Sequence, residues 1–203
     1  MTPEATLEAL AARIAGVPAH GRRKLIAIAG PPASGKSTLA ADLVAHLGDG
    51  AALVPMDGYH LDNRVLDARG LRARKGAPQT FDAAGFVHMV GRLGAEDEVT
   101  IPVFDRTQDI AIAGAEVITG ETRVAVVEGN YLLLDRAPWR GLHGLWDLSV
   151  FLDVPLDEVE RRCIQRWLDH DHTPEAAAAR ARSNDVPNAC VVLSDSAPAD
   201  VTI

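Results

Sequence analysis

Apolar positions along the chain fall into two kinds of run. Residues 24–30 read KLIAIAG, with no polar position between Leu25 and Ala29 and a glycine at the end. A strand wetted on one face would alternate, so an unbroken run of this kind suits a strand buried on both faces of a parallel sheet. Residues 51–56 (AALVPM), 123–130 (RVAVVEGN) and 148–154 (LSVFLDV) repeat the pattern, and 189–193 (ACVVL) supply a fifth candidate. Other stretches carry helical spacing. Leu7, Leu10, Ile14 and Val17 follow a Thr2 cap with Pro3 at the first helical position. Leu39, Leu43 and Leu47 mark a second helix, Phe86, Met89, Val90 and Leu93 a third capped by Asp82, and a fourth runs from Pro155 to about His170. Strands alternating with helices predict an α/β fold with a parallel sheet. Residues 99–104 (VTIPVF) and 115–119 (AEVIT) break the rhythm. Separated by the mostly polar DRTQDIAIAG, they predict an inserted β-hairpin.

Composition narrows the classes. A chain of 203 residues, 47% hydrophobic and 24% charged, suits one compact domain with a good core. Its net charge of −8 argues against a broad basic surface for nucleic acid or anionic membrane. Cys163 and Cys190 match no metal spacing and read as reduced thiols, which points to the cytoplasm. No apolar run approaches a membrane span, and residues 1–17 carry Glu4, Glu8 and Arg13, unlike a signal peptide.

Residues 30–38, GPPASGKST, fit G-x-x-x-x-G-K-[ST] between a predicted strand and a predicted helix, the context that motif requires. Gly30 and Gly35 let the backbone N–H groups of the loop, from Ala33 and Ser34 through Thr38, converge on phosphate oxygens. The following helix turns its positive end to the same anion. Lys36 would reach the β- and γ-phosphates and the Ser37 hydroxyl would ligate Mg²⁺. With 20 Lys and Arg residues in total, only Lys24, Lys36 and Lys75 are lysines, so a lysine here is not a random basic residue. The expected fold is therefore a P-loop NTPase three-layer sandwich with about five parallel strands and a hairpin flap. Two carboxylates end predicted strands. Glu128 closes VVEGN, where a Walker B acid orders the metal, and Asp57 closes the second strand, where it could take a proton from an attacking hydroxyl. Asp57 is followed by glycine, so a plain turn residue remains the competing reading.

GPPASGKST, MDGYH, VVEGNYLL and FLDVPLDEVERRCIQR occur in the order and spacing of small-molecule P-loop kinases, and over residues 24–170 the chain resembles that group. The group includes uridine kinase, phosphoribulokinase and bacterial pantothenate kinase. NRVLDARGLRARKGAPQTFD is especially similar to the pantothenate kinase stretch, and the whole chain is most similar to compact bacterial nucleoside/nucleotide kinase-like or fructose-transport-associated kinases. The resemblance implies transfer of the ATP γ-phosphate to an alcohol with Mg²⁺, Asp57 as catalytic aspartate, and Arg162 and Arg166 as lid arginines. It implies one kinase domain over 1–203, with a flap at 99–119 and a lid region at 155–185. Tyr59, His60, Arg69, Lys75, Phe104, Asp105 and Arg106 are then candidates for the acceptor pocket, and their mixture suits a small hydroxylated molecule such as a sugar, a nucleoside or a pantothenate-like alcohol. The chain also departs from its relatives. Asp109 stands where uridine kinases place a hairpin histidine, and Arg106 where pantothenate kinases place theirs, so neither specificity carries over. No lysine sits in an N/T-K-x-D guanine motif and no LSGGQ-like signature occurs, which argues against a GTPase and an ABC ATPase. A nucleoside monophosphate kinase and a non-catalytic nucleotide-binding regulator remain as alternatives, with no nucleic acid or membrane partner expected and a homodimer left open.

Overall fold

The computed structural model describes residues 3–203, so the expected Thr2 cap lies outside the described residues. In chain order the regular elements are α1 (Pro3–Gly16), β1 (Lys24–Ala29), α2 (Lys36–Leu47), β2 (Ala51–Pro55), α3 (Asn63–Ala68) and α4 (Ala83–Ala95). Then follow β3 (Val99–Asp105), β4 (Ile110–Ile118), β5 (Val124–Gly129) and β6 (Leu148–Phe151). The chain closes with α5 (Leu156–Leu168), α6 (Pro174–Arg180), α7 (Val186–Asp195) and β7 (Val201–Thr202). Five parallel strands form one sheet in the order β2-β5-β1-β6-β7. The result is a three-layer α/β sandwich. The strands predicted at 24–30, 51–56, 123–130 and 148–154 are all in this sheet, and burial on both faces explains their unbroken apolar runs. Leu25, Ala27 and Ala29 of β1 pack toward Phe86, Met89 and Leu93 of α4, whereas Ile26 and Ile28 pack with Leu10, Ile14 and Leu43 of α1 and α2. Each such aliphatic side chain removed from water contributes about 1.5–3 kcal/mol.

Residues 189–193 are helical, which corrects the fifth strand predicted there. They lie within α7, and the buried positions of this region, Ala181, Asn184, Asp185, Asn188, Ala189 and Val192, recur at helical spacing. Three of the six are polar, so the stripe does not read as hydrophobic. A single π-helical turn, Ala181–Asp185, joins α6 to α7. Pro187 has no N–H to return to the Ser183 carbonyl four residues back. That carbonyl accepts from Arg74 Nη1 at 2.7 Å. The fifth strand is instead β7, two residues long, beside β6. Asp200 holds it there by accepting from the Ser149 backbone N–H at 2.8 Å and hydroxyl at 2.7 Å.

β3 and β4 form the predicted antiparallel hairpin, with β4 beginning at Ile110, well before the AEVIT segment. Asp82 caps α4 as expected, accepting from the Gly85 N–H at 3.0 Å. Both cysteines are free. Among the described residues no helix is long and apolar enough to cross a membrane.

Candidate active site

The loop between β1 and α2 is shaped by two left-handed residues, Ala33 (φ 57°) and Gly35 (φ 94°). Only glycine adopts the second without strain. α2 then begins at Lys36 with no side-chain cap and no acidic residue in its first turn. Its leading N–H groups are therefore free to meet an anion. The Lys36 ammonium feels burial first, which lowers its pKa, while the carboxylates of Glu128 and Asp57 oppose that shift. Its charge is thus poorly solvated, with Glu128 and Asp57 as the nearby counter-charges.

Glu128 enters from β5, hydrogen-bonded beside β1 with Ile28 opposite Glu128. It is 5% exposed, and its Oε2 accepts from Ser37 Oγ at 3.1 Å. Burial raises its pKa, with Lys36 pulling the other way. Next to it, the Asn130 amide oxygen is buried without a hydrogen-bond partner among the described residues, and Asn130 faces the same cleft. A buried acceptor in a polar cleft ordinarily has a donor, so this one is available to a ligand.

Asp57 sits in a 3₁₀ turn, Met56–Tyr59, at the end of β2, whose Pro55 lies opposite Glu128. The hairpin closes over this turn. A Cβ on Gly58 would fall 2.3 Å from the Pro102 carbonyl, so only glycine permits the approach. From the tip of the hairpin Arg106 Nη2 donates to Asp57 Oδ2 at 3.0 Å, a charge-assisted contact. His60 is stacked between Phe81 and Phe104, with ring centroids 4.0 and 4.6 Å away. Its Nδ1 lies 2.8 Å from the Asp57 carbonyl oxygen. Burial lowers its pKa despite the nearby Asp57 carboxylate, so the ring is neutral, and an Nδ1–H donated to that carbonyl leaves Nε2 as an acceptor.

Lys75 forms the adjoining wall. Its Nζ donates to Asp109 Oδ1 and to Asn63 Oδ1, both at 2.8 Å, and lies 5.0 Å from the Phe104 ring centroid. Burial alone would raise the Asp109 pKa, but hydrogen bonds from Lys75 and Asn63 lower it overall. Opposite stand α5 to α7. There Asp185, 6% exposed, accepts from Arg166 Nη2 at 3.1 Å and Trp167 Nε1 at 2.6 Å.

One cleft of about 700 Å³ collects Ala33, Gly35, Lys36, Ser37 and Thr38 of the loop together with Asp57, Glu128, His60, Lys75, Phe104, Arg106 and Arg166. Gly30 and Ser34 shape the loop beneath it. Four of the predicted site residues point elsewhere. Tyr59 packs edge-on against Phe86 with centroids 5.2 Å apart. Arg69 is exposed at the end of α3. Asp105 is used by the hairpin turn, accepting from the Thr107 and Gln108 N–H groups at 2.8 and 3.0 Å. Arg162 lies behind the loop, bonded to Glu158 at 2.6 Å and reaching the Ser34 carbonyl at 3.4 Å. Sequence reasoning missed Arg72, Trp167, Arg180 and the polar face that runs from the π turn into α7 (Asn184, Asp185 and Asn188), which also line the cleft. Reading 184, 185 and 188 at helical rather than strand spacing would have found that face.

A phosphate loop at the end of the central strand, in a parallel sheet of order β2-β5-β1-β6-β7, defines a P-loop kinase fold. The model of the "Phosphoribulokinase / Uridine kinase family" matches residues 25–173, and the chain belongs to that family. A crystal structure described as a "putative fructose transport system kinase from Silicibacter sp. TM1040" is 48% identical, covers 100% of this chain and 99% of its own, and superposes with a TM-score of 0.92. The Escherichia coli protein YggC, described as uncharacterized, is 34% identical over 90% of this chain and 78% of its own length. A pantothenate kinase of Streptomyces avermitilis is 32% identical over 70% of this chain and 47% of its own.

Proposed function

We propose that the protein is an ATP- and Mg²⁺-dependent kinase that phosphorylates a hydroxyl of a small molecule, with Asp57 as general base. One observation carries this reading. Lys36, the Ser37–Glu128 pair and Asp57 converge on a single cleft from the ends of three adjacent strands. A nucleotide switch needs the first three but has no use for a carboxylate facing an acceptor.

The residues present fit the implied ligands. The uncapped start of α2 and Lys36 suit the β- and γ-phosphates, while Ser37 and Glu128 would hold Mg²⁺. When bound, the metal supplies charge neutralisation to the transferring phosphoryl group. Asp57 Oδ2 is held by Arg106, leaving Oδ1 to receive the acceptor proton. The Arg106 contact orients that carboxylate. The hairpin then serves as a flap and α5 to α7 as a lid, with Arg166 at the edge of the phosphate site and Arg162 bracing the loop from behind. A coupled ADP-release screen with Mg-ATP over sugars, nucleosides, nucleotides and pantothenate tests the reading. We expect turnover with a hydroxyl acceptor. ATP binding without acceptor-dependent ADP release across the whole screen would reject it in favour of a nucleotide-binding regulator.

A further inference from the structure

Six cationic side chains and four carboxylates line the cleft, a local excess of positive charge in a chain whose formal net charge is −8. Most of these cations are already matched. Arg106 lies on Asp57 at 3.0 Å, Lys75 on Asp109 at 2.8 Å and Arg166 on Asp185 at 3.1 Å, and Lys36 faces Glu128 and Asp57.

Arg180 is different. Among the described residues no carboxylate lies within ion-pair reach of it. Its Nη1 donates to the Ala73 carbonyl at 2.8 Å, and its guanidinium lies 5.4 Å from the Trp167 ring centroid. Trp167 is itself fixed by its hydrogen bond to Asp185. A guanidinium stacked on an anchored indole is pre-organised, and the N–H groups it does not spend on Ala73 remain to offer. Arg72 adds to the excess. It pairs with Asp67 at 3.2 Å but reaches Asp109 only at 3.9 Å, and Asp109 is already occupied by Lys75. Arg74, in the same turn, has only neutral partners, Ser183 O and Asn188 Oδ1. The uncompensated charge therefore lies between residues 72–74 and α6. Through Ala73 that charge adjoins the wall carrying Lys75 and Phe104, while Arg166, on the same Trp167 ring as Arg180, stands between it and the phosphate loop.

We propose, resting on the kinase reading above, that the acceptor is a hydroxylated anion, a small alcohol bearing a carboxylate or a phosphate. Its anionic end binds Arg180 with support from Arg72, while its hydroxyl faces Asp57. An uncharged acceptor would cover the Arg180 guanidinium and give it no counter-charge, which costs binding free energy.

The test uses matched pairs that differ in the anionic group: glycerate and glycerol, pantothenate and pantothenol, fructose 6-phosphate and fructose. Affinity is measured by calorimetry with a non-hydrolysable ATP analogue and Mg²⁺, alongside ADP release with ATP. We expect the anionic member of at least one pair to bind about 10-fold or more tightly than its neutral partner, the preferred pair showing whether carboxylate or phosphate is recognised. Arg180→Gln should weaken that anion about 10–100-fold, while neutral partners and ATP change by less than about 3-fold. Arg180→Lys should recover part of the loss, which a folding defect would not allow. The proposal is overturned if no anionic member binds, if neutral members bind equally well in every pair, or if Arg180→Gln weakens ATP as much as the acceptor. Anion binding that depends on Arg180 without ADP release would instead uphold the anion site and reject phosphoryl transfer.

Discussion

Replacing Asp57 with asparagine separates a catalytic base from a turn residue because it changes charge and almost nothing else. Asparagine keeps the 3₁₀ turn, in which the His60 N–H donates to the residue 57 carbonyl at 3.1 Å. Its amide oxygen can still accept from Arg106. The Arg106 and Asp57 side chains are 67% and 29% exposed, so weakening their ion pair costs only about 0.2–1 kcal/mol. In a chain of this length that moves Tm by at most about 2–4 °C. Loss of a general base costs about 10²–10⁴-fold in rate, or about 2.7–5.5 kcal/mol of barrier at about 1.36 kcal/mol per decade. A loose phosphoryl-transfer transition state, in which the hydroxyl proton leaves late, places the effect toward the lower end. ATP affinity should hold or improve, since one negative charge beside the γ-phosphate is removed. The assay is kcat by coupled ADP release at saturating substrates, with ATP affinity by calorimetry and Tm by thermal melt. A kcat within about 5-fold of wild type would refute the role of Asp57 as base.

Lys36→Ala should lower kcat by at least about 10²–10³-fold, yet leave Tm unchanged or raised, because burial already disfavours the folded charged lysine; wild-type turnover would remove Lys36 from the phosphate site. Arg166→Ala should reduce kcat more than it raises KM for ATP, and Arg162→Ala should have the smaller effect because it touches the loop only from behind; equal losses in kcat and ATP affinity for Arg166→Ala would make it a ground-state binding residue. His60 gives a pH signature. Burial holds its folded pKa below the ordinary histidine value of about 6.5, so below that pH the unfolded chain takes up a proton that the folded chain refuses, and stability falls as pH drops. In thermal melts His60→Gln should therefore lose less Tm than wild type between pH 7.5 and pH 5.5, and an identical pH dependence would show that His60 does not titrate as described.

The phosphate loop and the two strand-end acids were legible because their information is local. GPPASGKST dictates its own turn, and an apolar run buried on both faces carries an acid at its end straight to the edge of the sheet. The placement of side chains around them was not legible in the same way. Tyr59 and Asp105 adjoin residues of the cleft yet turn toward Phe86 and the hairpin turn, because one residue along a turn or strand reverses side-chain direction. The ACVVL segment was misread because Asn184, Asp185 and Asn188 occupy the buried stripe of the helix. Polar groups are tolerated there only through partners from remote segments, namely the Lys75 carbonyl, Trp167 and Arg74. β7, at two residues, carries no periodicity at all, and the edge of β6 decides its existence. Arg180 shows the limit most plainly. In the chain it is one arginine after four alanines. It becomes an available cation in the cleft only when the packing of α5 against α6 sets it over Trp167 and beside Ala73, beyond reach of any described carboxylate. Charge compensation depends on distances between distant segments, and those are decided by tertiary packing rather than by any local stretch of sequence.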